Sequence, residues 1–248
     1  MGQFLNNMKR ATAAYWEAHL VMSKHRLLRF LWVPGLVTAL LGALYAWATI
    51  RLFLNLEFDF GFPVWLDWLE MVLVFVAKII FWPLAVVFFL LSYRLVAQIF
   101  LSPVLSYLSE LVEFRELKGH APKTGLKEFL ADIRRSVTIN LRILFWEILL
   151  CFFTGLIPVV GAAGALGISS YFCGFNFMDY TLERRRLSVK ESADFVRRNN
   201  GSAVGLGMVC VLGMMVPLVG WFFMPTYATV AATLETCRLL DAELEGNS

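Results

Sequence analysis

The chain has 248 residues, 59% hydrophobic and 17% charged, with 22 Lys and Arg against 19 Asp and Glu. Soluble domains carry roughly 25% charged and about 45–50% apolar residues, and the mean hydropathy of +0.67 points the same way. This excludes a disordered chain, a nucleic-acid-binding domain and an ordinary cytosolic enzyme. It leaves an integral membrane protein, built from helices because the apolar runs are long and unbroken.

In chain order, residues 3–22 read as an amphipathic helix lying in the membrane interface. Phe4, Met8, Ala11, Tyr15 and Met22 recur at helical spacing opposite Asn7, Arg10 and Glu17. Ser23 is placed to cap the helix that follows. Residues 30–50 carry no charge between Arg29 and Arg51, and about 20 residues suffice to span a bilayer. Residues 51–70 mix Glu57, Asp59, Asp67 and Glu70 with Trp65 and Trp68, as an interfacial loop does. Residues 71–109 are apolar again, interrupted by Lys78 and Arg94. As a helix they reach about 58 Å, more than a 30 Å hydrocarbon core, so a long span projecting beyond the bilayer is expected. Residues 110–142 are polar and cytoplasmic in this reading, with a new helix from Lys127 to Arg142.

Two charge-free stretches follow, 148–178 and 199–234, each broken near its middle by one pattern. Ile157-Pro158-Val159-Val160-Gly161 is repeated 59 residues later as Val216-Pro217-Leu218-Val219-Gly220. Arms of about 14–16 residues flank each break, short for a span but suited to a re-entrant hairpin with Pro and Gly at the bend. The hairpins are therefore assigned to 143–179 and 199–234, with bends at Pro158, Gly161, Pro217 and Gly220; two Pro-kinked spans are the alternative. Charge distribution favours hairpins. Segments 1–29, 106–142 and 180–202 hold 18 of the 22 basic residues, whereas 51–70 holds one against four acids. The positive-inside rule puts the three basic segments in the cytoplasm, so the chain must leave and return to one side between 142 and 180. The whole chain, 1–248, then forms a single all-α membrane domain of two long transmembrane helices, two hemi-penetrating hairpins and the N-terminal helix.

Cys151, Cys173, Cys210 and Cys237 lie in or beside apolar runs without metal-ligand spacing and read as small apolar residues. No Walker motif, metal cluster or Ser/His/Asp set is present, so neither an enzyme nor a cofactor is expected. The Gly series 155, 161, 164, 167 reads as a helix-packing face. Lys24, His25, Arg26 and Arg29 precede the first span, at the expected amino end of a helix. There free N–H groups and the dipole favour an anion, and arginine forks suit oxyanions. A basic belt that fixes topology and binds lipid phosphates is the alternative. Within apolar stretches, Lys78, Arg94 and Glu147 are candidates for a pathway or a buried ion pair, Glu147 with Arg94 or Arg142 as partner. Lys78 and Arg94 can also snorkel to the two interfaces. Asp179, beside Arg184-Arg185-Arg186, reads as structural.

Taken together, these residues resemble the CysZ family of bacterial sulfate permeases, whose superfamily includes the etoposide-induced membrane proteins. The likeness runs over roughly residues 10–240. It passes through Arg29-Phe30-Leu31-Trp32-Val33-Pro34, Ser102-Pro103-Val104-Leu105-Ser106, both Pro-Gly breaks, Phe177-Met178-Asp179-Tyr180 and Met224-Pro225. The resemblance implies two long spans, two hemi-penetrating hairpins, a homo-oligomer in the bacterial inner membrane and sulfate uptake for cysteine biosynthesis. A non-transporting membrane scaffold of the same superfamily is the alternative. The family's anion site pairs Gly, an aliphatic residue and Arg, often followed by a second Arg. Here it falls on Arg26, Leu27, Leu28 and Arg29: Arg29 matches, Arg26 stands at the Gly position and Leu28 at the first Arg.

Overall fold

In this computed structural model, residues 2–54, 66–117, 126–157, 160–216 and 219–246 are described. Among them every regular element is helical: α1 (Gly2–Lys24), a 3-10 helix η1 (Leu27–Leu31), α2 (Trp32–Leu54), α3 (Asp67–Glu116), α4 (Leu126–Gly155), α5 (Val160–Arg184), α6 (Val189–Arg198), α7 (Asn200–Met214) and α8 (Val219–Gly246). Packing divides the chain into two units, residues 38–98 and residues 1–37 with 99–248.

In the smaller unit, α2 and α3 turn large apolar side chains outward, among them Leu40, Leu44, Trp47, Met71, Phe75 and Ile80. Arg51 lies 5.8 Å from the centre of the Trp47 ring, a cation–π contact at the end of α2.

In the larger unit, α5 packs on α7, and both contact α8; α1 lies against α7 and α8. The approach of α5 to α7 is set by glycine. A Cβ on Gly207 would lie 1.7 Å from the Ser170 carbonyl oxygen, and one on Gly174 would lie 1.9 Å from that of Ala203. Small residues let helix backbones touch in this way. The seam of α1 is small too: Ala11, Ala14, Ala18, Val21 and Met22 are buried. Phe4, on the apolar face, is 37% exposed, and the α7 glycines receive the α1 backbone itself. Leu5, Trp16 and Leu20 face outward. The expected polar face is not a free surface: Arg10 and Glu17 reach Glu235 and Arg238 of α8.

The two breaks close alike. Ile157 N–H donates to Thr154 O (3.0 Å) and Gly161 N–H to Ile157 O (2.8 Å). Fifty-nine residues on, Val216 N–H donates to Gly213 O (3.1 Å) and Gly220 N–H to Val216 O (2.9 Å). Cβ atoms on Gly161 and Gly220 would lie 2.4 and 2.1 Å from the Thr154 and Gly213 carbonyl oxygens. Each turn thus needs glycine where the returning helix meets the outgoing one. Pro158 and Pro217 lie outside the described residues.

One arm, α4, is longer than expected. α4 runs unbroken through Arg142 and Glu147, and its Val137–Gly155 segment is long and apolar enough to cross a membrane, with 22% of its apolar window buried in the protein. The polar segment assigned to 110–142 therefore ends inside a helix. Other apolar helical stretches among the described residues are shorter: Trp32–Ala48, Trp68–Ala77 and Asn200–Met214.

A direct comparison tests the glycine contact. Gly207→Ala should destabilise the protein by about 1–3 kcal/mol through overpacking. Gly167→Ala, where a Cβ meets nothing within 4 Å, should be neutral or slightly stabilising, since Ala suits a helix interior better. Thermal unfolding in detergent measures both; equal midpoints would contradict the contact.

Candidate functional site

The basic residues before α2 sit on a corner, not at the head of one helix. Ser23 is the penultimate residue of α1, so it caps nothing, and Lys24 lies in the last turn of α1. A cation there is favoured by the negative helix end. Arg26 turns the chain at φ 54°, ψ 34°, in the left-handed region, which costs an L residue roughly 1–2 kcal/mol. η1 then carries Leu27 to Leu31 and runs directly into α2. Leu27 and Leu31 are buried and pin η1 to the core, while Leu28 is 38% exposed. Leu27 can therefore meet an anion only through its backbone. Arg29 lies within η1; its side chain, like those of Lys78 and Arg94 on α3, lies outside the described part. A five-residue 3-10 helix supplies little dipole, so an anion at this corner would need the arginine side chains.

The carboxyl end of α3 holds the corner. Lys24 Nζ and His25 Nε2 both reach Glu116 Oε2, at 2.8 and 2.7 Å. Arg115 Nη1 donates to the His25 carbonyl oxygen at 2.8 Å. Hydrogen bonds from Lys24 and then His25 hold the Glu116 carboxyl below its ordinary value of 4.5. Lys24 is 63% exposed in its side chain and Glu116 26%, and solvated pairs of this kind contribute about 0–1 kcal/mol to stability.

Glu147, a candidate for a pathway or a buried ion pair, and Asp179, read as structural, lie apart from this corner. Glu147 is 4% exposed and accepts from Ser169 Oγ at 2.9 Å. Asp179 pairs with Arg135 of α4 (3.1 Å), not with the arginines after it; Arg135 also donates to Ser192 (2.9 Å) and faces Glu183 (3.6 Å). Arg184 and Arg185 converge instead on Glu113 of α3, at 2.9 and 2.7 Å. Arg186 stands at φ 59°. The hydrogen bonds Arg186 N–H to Glu183 O and Leu187 N–H to Leu182 O close a Schellman turn there.

Composition alone did not single out Glu235. It is fully buried, paired with Arg10 at 2.8 Å, and accepts from Ser202 Oγ at 2.8 Å. A buried carboxylate needs such partners, and removing one leaves an uncompensated charge. Beside it on α8 runs a buried hydroxyl row, Thr226, Thr229, Thr233 and Thr236. Thr229 and Thr233 donate to carbonyls four residues back, and Ser109 of α3 joins Thr233 at 2.6 Å. The helical spacing of these threonines was the readable signal. For Glu113 and Glu116 it was the acidic run after Ser106. Neither spacing names a partner. Among the described residues, no group of His, Cys, Asp and Glu could hold a metal ion.

The model of the sulfate transporter CysZ/etoposide-induced protein 2.4 family matches residues 14–225, and the chain belongs to this family. Its relatives include a protein named sulfate transporter CysZ from Pseudomonas syringae pv. tomato, 26% identical over 184 residues, 69% of each chain. Another of that name, from Pseudomonas aeruginosa, is 26% identical over 184 residues, 69% of this chain and 71% of the relative. These relatives are named as transporters, not enzymes.

The sign of the pH effect follows from the depressed Glu116 carboxyl. Its bonds contribute fully above about pH 4.5, the unfolded value, and are lost as pH falls through the lower folded value. The small stability gap between wild type and Glu116→Gln should therefore close as pH falls below about 4.5. Thermal unfolding of both proteins across acid pH measures this; a gap that widens in acid would contradict the pairing.

Proposed function

We propose that this chain is a membrane permease or channel for a small oxyanion, sulfate first among them, serving uptake across the bacterial inner membrane for cysteine biosynthesis. The observation that carries this reading is the corner at Arg26: a left-handed turn followed by Arg29, at the position where the family pattern has its anion-binding residues. Arg29 supplies the planar pair of donors that a tetrahedral oxyanion takes. Arg26, three residues away, supplies the second charge in place of the family's first Arg. Leu28 occupies that Arg position without a donor, and the backbone of Leu27 completes the loop. Membrane lipids and further copies of the chain are the expected partners.

The topology proposed with this function has residues 3–22 in the interface and spans at 30–50 and 71–109. Residues 110–142 face the cytoplasm, and hairpins 143–179 and 199–234 enter and leave on the cytoplasmic side. Two features support it. Large apolar side chains face outward at both turns, Leu156 and Ile157 at one and Met215 and Val216 at the other. The 15 residues of α7 reach only about 22 Å, short of a 30 Å core. The first hairpin returns to its starting side whether α4 crosses fully or in part. Lys78, Arg94 and Glu147 are proposed to line or brace the route.

Labelled-sulfate uptake into proteoliposomes and sulfate binding by calorimetry test the reading. Arg29→Ala should lose charge-assisted bonds of about 1.5–3 kcal/mol, roughly a ten- to hundredfold loss of affinity. Arg29→Lys should recover only part, because an ammonium lacks the planar fork. Wild-type affinity in Arg29→Ala would refute the site. Absence of uptake by the unmodified protein would favour a scaffold.

A further inference from the structure

We propose that Arg115 and Glu116 are positioning residues for oxyanion binding: the carboxyl end of α3 fixes the direction in which η1 leaves α1, and so where Arg29 is carried. This deepens the sulfate reading and rests on it.

The corner has little rigidity of its own. Lys24 ends α1 and Arg26 takes an unfavourable left-handed conformation with no side-chain cap. The carbonyls of a helix's last turn have no partner within their own helix and need outside donors. For His25 the donor is Arg115, at 2.8 Å. The two side chains before the turn are fastened as well, Lys24 Nζ by both oxygens of Glu116 (2.8 and 3.1 Å) and the His25 ring by one (2.7 Å). Two consecutive residues of α3 thus grip two consecutive residues of the corner through three different groups: an ammonium, an imidazole and a backbone carbonyl. On the other side of the turn, Leu27 and Leu31 are buried and fix η1 to the core. Released from α3, the corner keeps its core anchor but loses the constraint on its bend.

Glu116 has a second consequence. Its carboxylate occupies the Lys24 ammonium and the His25 ring, the basic groups next along the chain from Arg26, so that an arriving oxyanion meets the arginines and not a diffuse basic cluster. Because the grip is solvent-exposed, it adds little to global stability, which separates positioning from a merely structural role.

The test uses the full-length protein in detergent, with three readouts: hydrogen exchange of the amides of residues 25–31, sulfate affinity by calorimetry, and the thermal midpoint. Glu116→Gln and Arg115→Gln should each speed exchange over 25–31 and weaken sulfate binding about tenfold, with the midpoint nearly unchanged. The charge swap Lys24→Glu with Glu116→Lys should restore most of the affinity that Glu116→Lys alone removes. Faster exchange with unchanged sulfate affinity would overturn the positioning role while leaving the sulfate reading intact. Unchanged exchange would overturn the grip itself. No sulfate binding by the unmodified protein would overturn both readings at once.

Discussion

Backbone contact between α5 and α7 is the constraint on which the larger unit is built. With Gly207 against the Ser170 carbonyl and Gly174 against that of Ala203, no side chain separates the two helices, and the elements around them have one place to go. α1 uses the same device on α7, where Gly201 and Gly205 lie under the carbonyls of Phe4 and Met8. Once α7 is held from two sides, the turn at Gly213–Gly220 brings α8 back beside it. Glu235 then falls within reach of Arg10 and Ser202. The order of cause is steric first and electrostatic second: glycine brings the helices close enough for the buried Glu235 carboxylate to find its partners.

Electrostatics then accounts for much of the basic content. Fixed positive charge on one side is expected of a chain inserted by the positive-inside rule, but several of these residues also have structural partners. Glu113 takes Arg184 and Arg185, Glu116 takes Lys24 and His25, and Asp179 takes Arg135. The carboxyl end of α3 thus joins the corner before α2 to the end of α5 through two acids one helical turn apart. Sulfate, also an anion, would meet cations already shared with carboxylates. Affinity in such a site depends on which arginines are left for the ligand and how they are held.

Much of this architecture was legible in the sequence. The 59-residue repeat of the Pro-Gly break became two turns with equivalent hydrogen bonds, because a tight reversal restricts residue choice strongly enough to leave a mark. Apolar stretches marked helices but not their ends: α4 passes through Arg142 and Glu147, since charges alone do not stop a helix. The seam of α1 was harder to read, because alanines form it where the partner offers glycine. Ser23 was misread as a cap because the left-handed turn at Arg26 is held by Arg115 and Glu116, about ninety residues away in sequence. The resemblance put the candidate anion residues Arg26 to Arg29 on this corner. What holds the corner was not readable, because a long-range ion pair leaves no local periodicity.

The central claim is that the chain after α3 reverses twice and comes back to the same side each time. Single cysteines at Lys190, after the first hairpin, and at Ser248, after the second, test it most directly. They are read by a membrane-impermeant thiol reagent in a uniformly oriented sample, with the unmodified protein as control for the native thiols. The account predicts that both positions label from the side that carries the basic segments. Labelling of the two positions from opposite sides would contradict it.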